Sequence, residues 1–306
     1  MKIAIVGAGA MGCLYGGKLS AVSSNEVYLL DVWKDHIDRI NADGLSMEEN
    51  GKELKYKDLT GATDPQQVGP CDLAVIFVKS TLTAQAVKSN KAVFGPETVA
   101  LTLQNGLGNI ELISSEIGRE NVIAGTTAHG ATMLGAGHMR HAGSGKTIIG
   151  ELDGSRTERL KKISSVLEAA GMETELSDNV MGLVWDKLLV NVGINALTGI
   201  TKLENGKLLE YPGIEEIMGD AVAEGCAVAA AKNIKLGFDD PAEHTREVAR
   251  ATGANRSSML QDILNGKKTE IDMINGAIVR EGEALGIATP VNRVLSELIK
   301  YFQSIN

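Results

Sequence analysis

Three polar residues recur at four-residue intervals inside one apolar stretch: Lys187, Asn191 and Asn195, within SDNVMGLVWDKLLVNVGINALTGI at 177–200. At ~100° per residue, a four-residue step turns a helix by only ~40°, so all three side chains share one narrow face. Lysine is seldom buried without a partner, and a buried amide needs hydrogen bonds. The plainer alternative is a half-exposed polar stripe on a core helix. Yet Trp185, Leu188, Leu189, Val192 and Ile194 crowd the stripe and leave little of the helix for water. A seam of this kind suits proton donation. In a low-dielectric cleft the lysine pKa falls toward neutrality, so the group can give up a proton and regain it. Lys187 is therefore the first candidate for chemistry. Ser177 or Asp178 stands where the helix needs a cap.

The elements that must position this helix begin at residue 2. Lys2–Val6 is a β-branched apolar run suited to a parallel strand buried on both faces. It leads into Gly7-Ala8-Gly9-Ala10-Met11-Gly12 and then a helical segment from about Met11 to Ala21. This is a dinucleotide fingerprint in its strand–turn–helix setting. Gly7 permits the turn, Gly9 lets a pyrophosphate approach the backbone, and Gly12 lets helix and strand pack closely. The helix N-terminus supplies amide donors. The second strand, Glu26–Leu30, ends in Asp31, nineteen residues after Gly12. A carboxylate there suits the ribose hydroxyls of NADH and repels the 2′-phosphate of NADPH. Lys34 nearby softens that preference, and the alternative is that Asp31 caps the helix beginning near Trp33. NADH is expected over NADPH.

Ser46–Lys57 reads as a hairpin about Asn50-Gly51, and Asp64-Pro65 as the start of a short helix. Asp72–Val78 and Val99–Leu103 are further buried strands, ending in Lys79 and in Gln104-Asn105-Gly106. Ligands collect beyond the carboxyl ends of strands in an open α/β sheet, which makes Lys79 and Asn105 candidates for cofactor or substrate contact. A solvated strand-end charge and a left-handed turn residue are the respective alternatives. From Val122 to Gly150, short glycine-punctuated β segments are expected to extend the sheet as antiparallel strands. His138 and His141 lie three apart with no third ligand at a diagnostic spacing, so no metal site is expected. Arg156–Ala170 reads as a helix and Glu173–Leu176 as a last strand. The remainder is helical: Gly213–Lys232, Pro241–Ala251, Ser257–Leu264, Glu270–Leu285 and Pro290–Ile305. The fold class is α/β, a Rossmann-type parallel sheet domain over 1–176 followed by an all-helical domain over 177–306.

The composition fits. A chain of 306 residues, 43% hydrophobic and 23% charged, can bury two cores. A net charge of −9 argues against nucleic acid or an anionic membrane as partner, but leaves room for a small anionic substrate. Three scattered cysteines make neither a disulfide framework nor a metal pattern, as expected in a reducing cytoplasm. Ile3–Val6 is too short for a signal peptide core, and no later run reaches the ~18 uninterrupted apolar residues of a membrane span.

Three stretches together resemble the ketopantoate reductase (2-dehydropantoate 2-reductase) family: GAGAMG; WDKLLVNVGIN followed by LENGKLL; and ANRSSMLQDILNGKKTEIDMINGAI. HAGSGKTIIG fits the same pattern, and the resemblance runs through the whole chain. It implies an enzyme of pantothenate biosynthesis that reduces ketopantoate to D-pantoate with NADPH. Lys187 is similar to the family's general acid, and Glu270 to a glutamate that holds the substrate's hydroxyl end and assists catalysis. Asn105, Asn191, Asn195 and Asn205 match asparagines that bind substrate or brace the lysine, with Asn105 also reaching the nicotinamide. Ser258 matches the serine that holds the substrate carboxylate, and Lys79 a cofactor-side lysine. Asp31 departs from the arginine of many NADPH-using members. The family also resembles NAD-dependent D-2-hydroxyacid dehydrogenases of the D-mandelate type, acting on branched or aromatic 2-ketoacids. A dinucleotide-binding sensor is the reading outside enzymes. The expected partner is a small 2-ketoacid, and a homodimer is an assembly open to the chain.

Overall fold

The computed structural model describes residues 1–305. The chain divides into two compact units: residues 1–104 with 109–180, and residues 105–108 with 181–306.

The first unit opens with β1 (Lys2–Val6), α1 (Ala10–Ser20), β2 (Glu26–Leu30) and α2 (Lys34–Asp43). The hairpin β3 (Leu45–Glu49) and β4 (Lys52–Tyr56) and the strand β5 (Leu59–Ala62) follow. Next come β6 (Leu73–Ile76), α3 (Thr83–Ser89), β7 (Val99–Thr102) and α4 (Asn109–Ile117). The unit closes with β8 (Val122–Thr127), β9 (Gly130–Gly135), β10 (His138–Gly143), β11 (Thr147–Glu151), α5 (Glu158–Ala169) and β12 (Thr174–Leu176). The main sheet has eight strands in the order β12-β11-β8-β7-β6-β1-β2-β5. All its pairs are parallel except β11 with β8. The central strands are buried on both faces: every residue of β6 and β7 is buried, as a double helical cover requires.

The region 122–150 does not extend this sheet as a whole. Only β8 and β11 join it. Strands β9 and β10 form a second, four-stranded sheet with the hairpin, in the order β4-β3-β10-β9. The hairpin itself turns on Asn50 (φ 51°) and Gly51 (φ 74°), the doubly left-handed turn its sequence requires. Its apolar side, Leu45 and Met47, meets Met139 and α1 residues in the unit's core.

The second unit is helical. It holds α6 (Val180–Thr201), α7 (Pro212–Ala231), α8 (Pro241–Ala251), α9 (Ser258–Leu264), α10 (Asn275–Leu285) and α11 (Pro290–Ile305). Helix α6 is long and apolar enough to cross a bilayer by length and composition, but 67% of its apolar window is buried inside the protein. Trp185, Leu188 and Val192 anchor the core around it. The stretch read as one helix over Glu270–Leu285 is broken. A short 3-10 turn over Ile271–Met273 is followed by Ile274 at φ −113°, ψ −99°, and α10 starts only at Asn275. The break has a tertiary cause: the Met273 carbonyl accepts the Leu107 amide at 2.8 Å, which ties down the strap 105–108.

Candidate functional site

In the first unit, the glycine-rich turn and the second strand end line a cleft of about 470 Å³, whose walls include Gly7, Gly9, Asp31, Val32 and Lys79. The three glycines do different work. Gly7 sits at φ +98°, and a Cβ there would lie 2.7 Å from the Val78 amide. A Cβ on Gly12 would meet the Gly7 carbonyl at 1.9 Å. A Cβ on Gly9 would meet nothing within 4 Å. Gly9 thus opens into free space at the N-terminus of α1, where it is the cap and offers no side chain of its own. That geometry accommodates a pyrophosphate against backbone amides of Ala10 and Met11.

Asp31 is locked to the same turn. Its Oδ2 accepts the Ala8 amide at 2.8 Å and its Oδ1 the Trp33 amide at 2.9 Å. Helix α2 begins at Lys34 with Trp33 in the cap position and no side-chain cap, so Asp31 is not its cap. Each carboxylate oxygen keeps a lone pair for a hydroxyl donor. Lys34 pairs with Asp38 on the exposed face of α2. Lys79 stands at the entry of a 3-10 turn beside the cleft. Gln104, which sequence reasoning passed over, stitches this wall together: its amide donates to the Val78 carbonyl at 2.7 Å and to Thr83 Oγ1 at 2.8 Å. Its only signal was a polar residue at a strand end.

The histidines of the second sheet serve it internally. His141 Nδ1 lies 2.5 Å from Glu49 Oε1, which also takes Lys18 Nζ at 2.8 Å. His141 Nε2 meets His129 Nδ1 at 3.1 Å, while His138 pairs with Glu48. Among the described residues, no group of three His, Cys, Asp or Glu side chains could hold a metal.

In the second unit, Lys187, Asn191 and Asn195 follow one another along a single face of α6, with Asn195 buried and the other two half-buried. Burial pulls the Lys187 pKa down to about 8, and the nearby Glu270 carboxylate works against that shift. A lysine so poised holds its proton at neutral pH and can release it to an adjacent oxygen. Thr198, three residues further along the same face, shares a 2.7 Å hydrogen bond with Ser257, the cap of α9. That bond fixes the start of α9, where Ser258 is the first helical residue and is exposed. Neither Thr198 nor Ser257 stood out in the sequence, although Thr198 continues the stripe. Ser177 Oγ accepts the Asn179 amide just ahead of α6.

Glu270 precedes the 3-10 turn that breaks the helix and is half-buried. Asn105 lies on the strap whose next residue, Gly106, takes the left-handed conformation at φ +83°; Asn105 itself does not. A Cβ on Gly106 would stand 2.6 Å from the Met273 carbonyl, so only glycine permits the strap to run against the Glu270 turn. Asn205 is buried and engaged elsewhere. Its amide side chain donates to Thr252 Oγ1 at 2.9 Å and its backbone N–H to the Asn255 carbonyl at 3.0 Å. These bonds join the 205–210 turn to the loop before α9, while Asn205 Oδ1 is buried without a hydrogen-bond partner.

Comparison with known proteins accounts for nearly the whole chain. Residues 3–154 match the family model described as ketopantoate reductase PanE/ApbA, and residues 179–303 its C-terminal counterpart. A 2-dehydropantoate 2-reductase of Halobacterium salinarum is 37% identical over 304 residues, 99% of each chain. One from Pyrococcus horikoshii is 37% identical over 305 residues, covering 100% of this chain and 98% of its own. Among solved structures, a PanE/ApbA family ketopantoate reductase from Ralstonia eutropha is 38% identical with a TM-score of 0.91, over 100% of this chain and 99% of that one. D-mandelate dehydrogenase in ternary complex with NADH and anilino(oxo)acetate is 32% identical with a TM-score of 0.93 over the same shares. The chain belongs to the ketopantoate reductase family.

Proposed function

We infer that this chain reduces the keto group of 2-dehydropantoate to the D-alcohol, with NADH preferred over NADPH. The observation that carries the reading is Lys187: a lysine on the polar face of a core helix, its pKa brought down to about 8 by burial with the Glu270 carboxylate working against that shift. The nicotinamide cofactor supplies a hydride when bound. The chain's part is to hold the ketoacid and protonate the alkoxide. Lys187 Nζ gives its proton to the carbonyl oxygen as negative charge builds there. Asn105, Asn191 and Asn195 offer neutral donors that orient the ketoacid without fixing the lysine's charge. Ser258 takes the carboxylate end and Glu270 accepts the substrate's terminal hydroxyl. Gly7, Ala8, Gly9, Ala10, Met11 and Gly12 cradle the dinucleotide, with Lys79 beside it. Asp31 supports the NADH preference, because its pinned carboxylate welcomes ribose hydroxyls and repels a 2′-phosphate. The D-mandelate dehydrogenase likeness, with NADH in that protein, keeps a D-2-hydroxyacid dehydrogenase as the second reading.

The test crosses NADH and NADPH with ketopantoate, 2-ketoisovalerate and benzoylformate. A site that bonds a hydroxyl discriminates against analogues lacking it, since the acceptor is left desolvated. Ketopantoate with NADH should give the highest kcat/KM, by a wide margin over 2-ketoisovalerate. A preference for benzoylformate or 2-ketoisovalerate would move the assignment to the second reading, and turnover of none would remove the enzymatic one.

A further inference from the structure

Asn275 is completely buried and opens α10, five residues after Glu270. Its side-chain amide donates twice: to the Val192 carbonyl at 3.1 Å and to Asn292 Oδ1 at 3.0 Å. The orientation of the amide is forced. Val192 offers a carbonyl, and Asn292 spends its own NH₂ on the Ala221 carbonyl at 2.9 Å and on Glu224 Oε2 at 2.7 Å, so it turns an acceptor toward Asn275. Asn275 Oδ1 is buried without a partner. An amide that leaves its acceptor unsatisfied while using both donors is kept for what the donors hold.

What they hold is the middle of α6. Val192 falls between Asn191 and Asn195 in sequence, five residues beyond Lys187. On the other side, Asn275 stands two residues beyond the 3-10 turn that Glu270 leads into, whose Met273 amide closes back on the Glu270 carbonyl at 2.9 Å. The helix that would otherwise continue is broken at Ile274, whose cap position has no side-chain bond. Asn275 is thus a polar bolt between the Glu270 turn and the helix bearing Lys187.

We propose that Asn275 is a positioning residue that fixes the distance between the Glu270 carboxylate and the Lys187 ammonium. The proposal rests on Lys187 being the proton donor. Glu270 favours the ammonium form, so a looser Glu270 lets the lysine lose its proton at lower pH. Glu270 is the charged group acting on Lys187.

The experiment is the pH dependence of kcat for ketopantoate reduction with NADH, in the wild type, Asn275→Ala, Asn275→Leu and Glu224→Gln. Asn275→Leu fills the volume should the alanine variant fail to fold. Glu224→Gln weakens the same chain of hydrogen bonds at its far end, where Glu224 holds the first amides of α11, and serves as the control for general loosening. The wild type should lose activity as pH rises through a limb near 8. In both Asn275 variants that limb should move down by about half a unit or more, with kcat reduced roughly tenfold and KM for NADH unchanged. Glu224→Gln should lower the melting temperature but leave the limb in place. A limb unmoved in the Asn275 variants, or moved equally in Glu224→Gln, overturns the proposal. A wild type without a basic limb refutes the proton-donor reading beneath it.

Discussion

Asp31 commits both carboxylate oxygens to backbone amides, one on the glycine-rich turn and one at the start of the next loop. The charge is therefore immobile, and a cofactor must adapt to it. Asp31→Arg should lower kcat/KM with NADH and narrow or reverse the NADH/NADPH ratio. It should also cost on the order of 1–3 kcal/mol in stability, as the Ala8 and Trp33 amides lose their acceptors. Steady-state kinetics with both cofactors, together with denaturant unfolding, check the two halves. Equal use of both cofactors by the wild type would count against Asp31 as the selector. At this scale the sequence was informative wherever spacing alone carried the message. The four-residue rhythm of Lys187, Asn191 and Asn195 survives unchanged on α6. Asn275 was not legible, because an asparagine inside an apolar helical run looks the same whether it bolts two helices or faces water.

Between elements, the turn entering α1 separates folding from binding. Gly12→Ala pushes a methyl into the Gly7 carbonyl, so the turn must shift and both stability and NADH affinity should fall. Gly9→Ala meets no protein atom, so thermal stability should stay within about 2 °C of the wild type, as small surface changes do. On the proposed placement of the dinucleotide the methyl would fill the space of its pyrophosphate, and NADH affinity should drop. Thermal melts and fluorescence titration with NADH distinguish the two, and an unaltered NADH affinity in Gly9→Ala would exclude that glycine from the cofactor site.

The second sheet is latched to α1 through Glu49. Burial works to raise this carboxyl, but Lys18 and His141 outweigh it and hold its pKa below the usual range. A carboxylate depressed in the folded state adds stability above its unfolded pKa and loses that contribution as pH falls through the folded one. Glu49→Gln should therefore destabilise by on the order of 1–3 kcal/mol at pH 7. The difference from wild type should shrink as pH drops below the unfolded value of about 4.5. Denaturant midpoints across pH 3–7 provide the check, and a pH-independent difference would mean the latch is not ionic. This sheet was also where sequence reasoning misplaced strands. Short glycine-rich strands with alternating burial state that they pair, but not with which edge; the pairing of β10 with β3 links residues some ninety positions apart.

Over the whole molecule, two cores correspond to two kinds of pattern. Fully apolar runs such as Leu73–Ile76 announced a sheet buried on both faces, and the Asn50-Gly51 turn announced the hairpin of the second sheet. The helical second unit followed from period alone. Its break at Ile274 did not, since Ile271, Ile274 and Ile278 continue an unbroken helical rhythm, while the carbonyls of Met273 and Asp272 are engaged from outside the helix by the Leu107 amide and the Arg280 guanidinium. Lys187 is the residue proposed to protonate the product of hydride transfer. The most direct test is kcat for ketopantoate reduction by NADH in Lys187→Ala, measured beside NADH affinity. The account predicts a loss of about 10²-fold or more in kcat with NADH affinity unchanged, and a wild-type rate that falls as pH rises through about 8. Activity within a few-fold of wild type, with the same pH profile, would contradict it.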